Sequence, residues 1–361
     1  MSKFLTQDKC PRSAPRQVSA WGILGMLLIL CVPVARAAAQ GTDRIQRRNG
    51  VDSGEITAVT PLGITISKSG VTTTIPTEEI RSVRYAGEPN ELNAARVAAE
   101  GGRHRVALRA AEELAGERIR RPEIQADVQF LFASNKAALA LAGQEPLDDA
   151  LAAVRSFLSE QRSSYHVPAA IELYGDLLLH ARQFDAARTE YEKLAKAKTS
   201  YFELRSALLL ARAWQAEGKH PEAITEFDKL ANSRELGPLI DPLRREAVLA
   251  REISRAATGD ARQSVERIGQ IIAKADEQDE ELLAGCYNAL GQIYDRAGDP
   301  RGALYAYLHV DLLFDGQRDA HAQALSQLID LWKTVGRADR ASDAADRFND
   351  KYSESRWAAE R

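Results

Sequence analysis

The sequence is poor in the residues that staple small domains together. Only three cysteines occur in 361 residues, together with 13 prolines and 6% aromatic residues. Cys10 and Cys31 lie near the N-terminus, and the third cysteine is Cys286. One remaining cysteine cannot form an internal disulfide, so the sequence excludes a disulfide-stapled fold beyond the N-terminal region. The stability of the chain beyond the N-terminal region must therefore come from packing.

The sequence also lacks the common catalytic and nucleotide-binding motifs. No G-x-x-x-x-G-K-[ST], G-x-G-x-x-G or G-x-S-x-G stretch occurs, and no H-E-x-x-H arrangement. None of the six histidines lies in such an arrangement, and beyond the N-terminal region no second cysteine offers a metal-ligand pair. We therefore predict no catalytic residue, no metal site, no cofactor and no enzymatic activity. The histidines are His104, His166, His180, His220, His309 and His321.

Two further groups could suggest chemistry, and each has a simpler interpretation. Cys286 lies beside Tyr287 in an apolar segment, so we expect a buried small side chain rather than a nucleophile. The acidic run Asp276–Glu281 lacks the spacing of a calcium loop, so we expect a solvated loop. A net charge of −3 also argues against a bulk polyanion binder.

Residues 1–39 have the pattern of a secretory signal peptide. Basic residues precede the apolar run Trp21–Val34, which an A-x-A site follows. We predict cleavage after Ala37 or Ala39 and an exported, periplasmic or extracellular chain with a net charge of about −7. An uncleaved anchor is the alternative, but about 14 apolar residues fall short of a bilayer span, so we expect no spanning segment in the mature chain. A lipoprotein site at Cys31 is disfavoured because Leu30 precedes it.

Residues 42–87 have β character. Ile and Val alternate with Thr and Ser between the turn signals "NG", "PLG", "SG" and "PTEE". That pattern predicts four to five short strands, and the order of the turns resembles a small SH3-like or Sm-like barrel. About 45 residues bury little core, so we expect this domain to pack against the neighbouring C-terminal region of the chain.

The β segment is also rich in basic residues. These are Arg44, Arg47, Arg48, Lys68, Arg81 and Arg84, and Glu55, Glu78 and Glu79 lie among them. A basic small barrel can contact an anionic polymer. Binding of anionic cell-wall polymer by a structural envelope protein is therefore an alternative function. In an exported protein we expect no nucleic-acid partner.

Residues 88–353 read as helices arranged in hairpins. Apolar residues recur at i, i+3, i+4 and i+7 in segment after segment, with short breaks between them. Seven small residues, one in each predicted second helix, lie 36 to 43 residues apart. They are Ala107, Ala150, Ala187, Ala223, Ser264, Ala303 and Ala341. We interpret residues 354–361 as a C-terminal tail.

One hairpin carries most of a known repeat signature. The pattern W-x2-L-G-x2-Y…A-x3-F is matched by Tyr287, Leu290, Gly291, Tyr294, Ala303 and Tyr307. Other copies match in part through Gly175, Ala187 and Tyr191, then Ala211, Trp214, Ala223 and Phe227, then Trp332 and Ala341. The region resembles the tetratricopeptide repeat family, although its spacing is irregular and a generic α-solenoid remains the alternative. The resemblance implies a mostly α fold in which helical hairpins form a right-handed superhelix.

The small residues of the signature predict close packing. Gly291 costs about 1 kcal/mol of helix propensity relative to alanine. We expect Gly291 and Ala303 to let two antiparallel helices approach, with Tyr294, Tyr307 and Leu290 filling the space beside them.

The resemblance also implies a function and a set of residues. Tetratricopeptide proteins bind a protein or peptide in a concave groove lined by first helices, so we expect a non-enzymatic interaction scaffold. Carried over copy by copy, the groove positions are Asp176, His180, Arg212, Gln215, Asn288, Gln292, Asp295, Arg296, Asp330 and Lys333. Their charges alternate, which suits an extended segment of both signs rather than a single carboxylate anchor. The alternative is that these side chains are simply the solvated face of each helix.

Overall fold

The computed structural model describes residues 41–359, so the predicted leader lies outside the described residues. Within them, five strands precede the helices. The strands are β1 Asp43–Arg47, β2 Gly50–Thr60, β3 Gly63–Lys68, β4 Val71–Pro76 and β5 Ile80–Arg84. A single 3-10 turn, Thr77–Glu79, leads into β5.

The strands form one antiparallel sheet in the order β4-β3-β2-β1-β5. Sequential hairpins connect β1 to β4, and β5 returns to pair with β1, as Ile45 opposite Val83 shows. The short strands predicted between the turn signals are therefore present, with one turn before the last strand. The alternation of side chains across each strand sends one set to a buried face, which holds Ile45, Ile56, Ile64, Ile66, Ile75 and Val83.

Within residues 41–359 the helices form seven consecutive hairpins, and this confirms the predicted helical solenoid. Their bounds are α1 Asn90–Glu100 with α2 His104–Ala115, α3 Pro122–Leu141 with α4 Leu147–Glu160, α5 Val167–His180 with α6 Phe184–Ala195, α7 Ser200–Ala216 with α8 His220–Ala231, α9 Ile240–Arg255 with α10 Ala261–Lys274, α11 Glu280–Arg296 with α12 Pro300–Leu313, and α13 Arg318–Thr334 with α14 Ala338–Tyr352. Residues 353–359, here called the C-terminal segment, come after α14 and contain the 3-10 turn Arg356–Ala358.

The sheet and the first helices share one core. The buried face of the sheet packs in the same apolar cluster as Leu92 of α1, Leu114 of α2 and Val128 of α3. The packing predicted for a domain too small to bury its own core is therefore present.

Two buried acidic residues tie the sheet to the helices. Both carboxylate oxygens of Asp43 in β1 accept from Arg121, at 2.6 and 2.9 Å, and also from the main-chain N–H groups of Ile56 and Ala86. Burial alone would raise the pKa of Asp43, but these hydrogen bonds outweigh it and lower the pKa. Asp127 of α3 accepts similarly from Arg96, His166 and Tyr85, which joins the end of the sheet to α1 and to the start of α5.

The small residue aligned in each second helix is buried. Ala107, Ala150, Ala187, Ala223, Ser264 and Ala303 are each 0% exposed, and Ala341 is 4% exposed. Even the hairpins that match the repeat signature poorly therefore keep the close helix contact that the spacing predicts.

The fifth hairpin is irregular. A π-helical turn, Ala256–Asp260, joins α9 to α10, and Gly259 adopts a φ of 108° that favours glycine. The buried carboxylate of Glu252 holds this turn, because it accepts from Ser264 and Arg267 of α10 and from Arg255 of α9. The irregular spacing seen in the sequence thus has a structural counterpart at this hairpin.

The seven hairpins curve into a closed ring. The Gln144 side chain, after α3, donates to the carbonyl of Ser353 at 2.7 Å, and the Arg105 N–H of α2 donates to Glu354 at 3.0 Å. Gly102, between α1 and α2, lies directly against the guanidinium of Arg318. We call this junction the seam. Its contacts are polar and largely exposed, and no apolar cluster of the described residues spans it, so it is held weakly.

Candidate functional site: the interior of the ring

The glycine slot of the repeat signature is filled by an aromatic ring from the second helix. A Cβ added at Gly291 would lie 2.5 Å from Cζ of Tyr307. Gly175 faces the ring of Tyr191 in the same way. In both hairpins the tyrosine follows the glycine by sixteen residues. The glycine therefore makes room for the tyrosine ring itself, a more specific contact than the predicted approach of Gly291 to Ala303.

Two other hairpins vary the same contact. At the same spacing, Ala211 and Phe227 occupy the slots of α7 and α8, and both are fully buried. In the last hairpin, Ile329 occupies the glycine slot and the small Ala345 occupies the aromatic slot, within one apolar cluster. The sizes of the two side chains are exchanged, so the combined volume is approximately conserved.

The remaining predicted packing residues also lie in the helix cores. Leu290 is 9% exposed, and Tyr287, Tyr294 and Trp332 pack against the same clusters from partly buried positions. The indole of Trp214 packs in the cluster of α7 to α9 and is covered by the Arg188 guanidinium, 3.6 Å from the ring centre.

The ring encloses a cavity of about 940 Å³. Its walls come mainly from the first helices α5, α7, α9, α11 and α13, and the C-terminal segment contributes Arg356, Trp357 and Ala359. Such a volume is at the upper end of the range for ligand sites in proteins.

Eight of the ten predicted groove residues line this cavity. They are Asp176, His180, Arg212, Gln215, Asn288, Gln292, Asp295 and Arg296. The other two, Asp330 and Lys333, are not among the lining residues, and they pair with each other at 2.8 Å on the exposed end of α13. On α13 the cavity is lined instead by Asp319, Gln323 and Gln327.

Most arginines of the cavity already have an acidic partner on a neighbouring element. Arg205 of α7 contacts Glu172 of α5 at 2.7 Å, and Arg212 of α7 pairs with Glu246 of α9. The same pattern continues with Arg245 and Asp279, and with Arg356 and Asp319. Side chains of opposite charge therefore pair between neighbouring elements around the cavity. Fewer of the charged side chains are left free to contact a ligand.

Hydrogen bonds also occupy two of the predicted polar groove residues. The Tyr191 hydroxyl donates to Asp176 at 2.6 Å, and burial together with this carboxylate raises the pKa of Tyr191. The Gln215 side chain donates to the carbonyl of Ala250 and to Ser254. Both side chains thus help to hold neighbouring helices together.

Four carboxamides on α11 and α13 are less fully used. Asn288 is 4% exposed and donates to the carbonyl of Ala320, but its Oδ1 atom has no hydrogen-bond partner among the described residues. Gln292, Gln323 and Gln327 line the cavity and make no side-chain hydrogen bond within residues 41–359. We call these four residues the carboxamide wall.

The groups with possible chemistry have structural roles. Cys286 is fully buried, and burial raises the pKa of its thiol to about 12. Asp279 of the acidic run caps α11 by accepting from the N–H of Leu282. His321 is fully buried between Tyr352 and Asp311, at 2.7 and 2.9 Å. Within residues 41–359 no group of three or more acidic, histidine or cysteine side chains is placed to hold a metal ion.

The basic residues of the sheet are partly neutralised. Arg47 pairs with Asp52 and Glu79, and Arg84 lies 3.6 Å from Glu88. Arg44 and Arg84 are directly opposite each other on β1 and β5, and both are exposed. None of the described helices combines the length and apolarity that crossing a bilayer requires.

Comparison with known proteins gives likenesses of fold. No protein-family model matches the chain, and neither does any curated protein. Among solved structures, a tetratricopeptide repeat protein from Parabacteroides merdae is 13% identical with a TM-score of 0.47, and the match covers 73% of this chain and 92% of that one. A Rap protein complexed with Competence and Sporulation Factor is 14% identical with a TM-score of 0.43, over 75% of this chain and 77% of that one.

A third match is the tetratricopeptide domain of P58(IPK), at 12% identity and a TM-score of 0.25, over 75% of this chain and 76% of that one. With identities of 12–14% and TM-scores below 0.5, these likenesses support no conclusion about this chain. The seven hairpins and the glycine-to-aromatic contacts of the chain itself define its architecture more sharply. The fold is a tetratricopeptide-like solenoid.

Some lining residues of this solenoid are missed by the sequence prediction. The C-terminal segment is predicted only as a tail, because no local pattern indicates that it folds back to the first repeats. Gln323 and Gln327 lie before the slot at Ile329, so the copy-by-copy alignment selects Asp330 instead. An i, i+4 spacing of glutamines on a first helix was the available signal.

Proposed function

We propose that the chain is an exported, non-enzymatic scaffold that binds a protein or peptide segment inside the ring formed by its helical hairpins. The observation that carries this proposal is the solvent-open cavity, walled by five first helices and by the C-terminal segment. A concave surface built from several repeats presents many weak polar contacts along one path, which suits an extended segment.

Affinity selection from a synthetic library of random decapeptides tests the proposal on the mature chain. We expect the wild type to enrich a reproducible pool. The double variant Asp295→Lys with Arg296→Glu should enrich less, because both side chains line the cavity. Circular dichroism and the melting temperature should stay unchanged, since both residues are exposed.

A matched charge reversal provides the control. Asp330→Lys with Lys333→Glu exchanges a comparable exposed pair that lies outside the cavity. This variant should enrich the same pool as the wild type. Failure of the wild type to enrich any pool, or equal losses in both double variants, would rule out the interior of the ring as the binding site.

Contact with an anionic envelope polymer is the second candidate, and the facing pair Arg44 and Arg84 favours it. Two like charges directly opposite on neighbouring strands repel each other, so a bound anion would relieve that cost. Two results together would support this function instead: the wild type is retained on isolated cell-wall polymer while Arg44→Glu is not, and the wild type enriches no peptide pool. Equal retention of the wild type and Arg44→Glu would exclude it.

A further inference from the structure

Some charged side chains of the cavity lack an ion-pair partner within residues 41–359. Glu281, Asp295 and Arg296 of α11 line the cavity, and their side chains make no described contact. Asp176 accepts only from the neutral hydroxyl of Tyr191. The other cavity arginines each face a carboxylate. Three carboxylates and one guanidinium are therefore left without a counter-charge, so the free charge of the cavity is negative.

Three unpartnered acceptors follow one line along α11. Glu281, Asn288 and Asp295 all line the cavity and lie seven residues apart. Seven residues are close to two helical turns, so the three side chains lie on one face at steps of about 10.5 Å. We call these three residues the acceptor row, because the groups without a partner are the two carboxylates and the Oδ1 atom of Asn288.

Asn288 of the carboxamide wall shows that a donor is missing from the free protein. Its nitrogen donates to the carbonyl of Ala320 at 3.0 Å, so its oxygen is the end without a partner, and the residue is only 4% exposed. A buried acceptor without a donor costs free energy, which an N–H group of a ligand would recover.

The face of α11 between Glu281 and Asn288 is kept open by Gly285. The nearest atom to an added Cβ at Gly285 is Cδ1 of Leu249, at 3.1 Å, so no aromatic ring fills this position as one does at Gly291. Gly285 also lines the cavity. A ligand that meets the exposed Glu281 can therefore continue along α11 to Asn288.

We propose that the acceptor row binds the cationic side chains of a polypeptide segment that carries Lys or Arg at about every third residue. Lys and Arg side chains contain hydrogen-bond donors and no acceptors, so they match a row of acceptors and offset its negative charge. Three residues of an extended or polyproline chain span about 9–10 Å, close to the step of the row. This inference rests on the proposed function and names the ligand of the same cavity.

Three synthetic decapeptides with blocked ends test the proposal on the wild-type mature chain. One carries lysine at every third residue among Ala and Ser, the second has the same composition with its lysines adjacent, and the third has acetyllysine at every third residue. Fluorescence anisotropy should show that the first binds at least about tenfold more tightly than the third and about fivefold more tightly than the second. Its association should also weaken when NaCl is raised from about 50 to 500 mM.

A matched pair of chain variants locates the contact. Glu281→Gln removes a carboxylate of the acceptor row and should weaken binding of the first peptide about fivefold. Glu277→Gln removes an exposed carboxylate of the same acidic run that does not line the cavity, and should change binding less than about twofold. Neither side chain has a described partner, so circular dichroism of both variants should match the wild type.

A third variant tests the path to Asn288. Gly285→Leu places a side chain between Glu281 and Asn288 and should weaken binding of the first peptide in a chain that circular dichroism shows to be folded. Unchanged binding in that folded chain, equal binding of the lysine and acetyllysine peptides, or equal losses in Glu281→Gln and Glu277→Gln would overturn the inference. So would a decapeptide pool without enrichment of Lys or Arg, which would leave the proposed function intact. The absence of any pool would overturn both.

Discussion

The contact between Gly291 and Tyr307 makes a sharp prediction about stability. In Gly291→Ala the new Cβ would lie 2.5 Å from the ring, and real Cβ atoms do not approach other atoms so closely. Tyr307 is 1% exposed, so its ring must shift against packed neighbours or toward the cavity that it also lines. Overpacking of this kind costs about 1–3 kcal/mol, and the better helix propensity of alanine returns about 1 kcal/mol. We therefore expect Gly291→Ala to lower the free energy of unfolding by up to about 2 kcal/mol.

Gly269 is the matched control, because it is a glycine inside α10 with nothing within 4 Å of an added Cβ. Gly269→Ala should raise the free energy of unfolding by about 0.5–1 kcal/mol, from helix propensity alone. Urea denaturation followed by circular dichroism compares the two variants. Opposite signs are expected, and a Gly291→Ala chain that gains stability as the Gly269→Ala chain does would refute the packing argument.

The last hairpin suggests a compensating pair. Gly291→Ile combined with Tyr307→Ala copies the arrangement of Ile329 and Ala345. The double variant should be more stable than the sum of its single variants predicts, by at least about 1 kcal/mol. Because repeats contact mainly their neighbours, hydrogen exchange in the single variants should increase around α11 to α14 and not in the sheet.

Three further predictions concern other parts of the chain. N-terminal sequencing of the exported protein should begin at Ala38 or Gln40, and a product that starts near Met1 would contradict the leader assignment. Burial alone would raise the pKa of Asp127, but His166 and Arg96 outweigh it and lower the pKa. The charged form of Asp127 therefore stabilises the fold above about pH 4, and this stabilisation is lost as the pH falls further. In urea titrations, Asp127→Asn should lower the free energy of unfolding by about 3 kcal/mol or more at pH 7 and by less at pH 3. A difference between variant and wild type that does not depend on pH would contradict this. A Cβ at Gly143 would lie 3.7 Å from Cβ of Ala359, within disulfide range, so Gly143→Cys with Ala359→Cys should cross-link on mild oxidation despite some backbone strain at residue 143. A pair that never cross-links on a non-reducing gel would mean that the seam is open in solution.

Much of the fold can be predicted from local sequence patterns. The alternation of Ile and Val with Thr and Ser indicated the strands, and the small residues from Ala107 to Ala341 marked the second helix of every hairpin. Each of these signals is local, because side-chain periodicity reports which face of an element is buried. The exchange of sizes between Ile329 and Ala345 is visible in the sequence only once the sixteen-residue contact is known.

The site was less accessible to sequence reasoning, since ring closure depends on curvature accumulated over seven hairpins. The bond from Gln144 to Ser353 joins positions 209 residues apart, and no local pattern indicates it. The pairing of Arg212 with Glu246 likewise depends on how neighbouring first helices sit side by side. The positions of the charged groove residues could therefore be predicted from the repeat alignment. Whether each of them has an ion-pair partner could not be predicted.

Site-specific photo-crosslinking tests the central claim most directly, namely that the interior of the ring is the binding surface. Benzoylphenylalanine placed at Leu249, which lines the cavity, is compared with the same group at Leu312, a leucine that is 73% exposed on α12 and does not line it. With the random decapeptide library as the probe, mass spectrometry should find peptide adducts at position 249 and few at position 312. Adducts mainly at position 312, or none at position 249, would contradict the account.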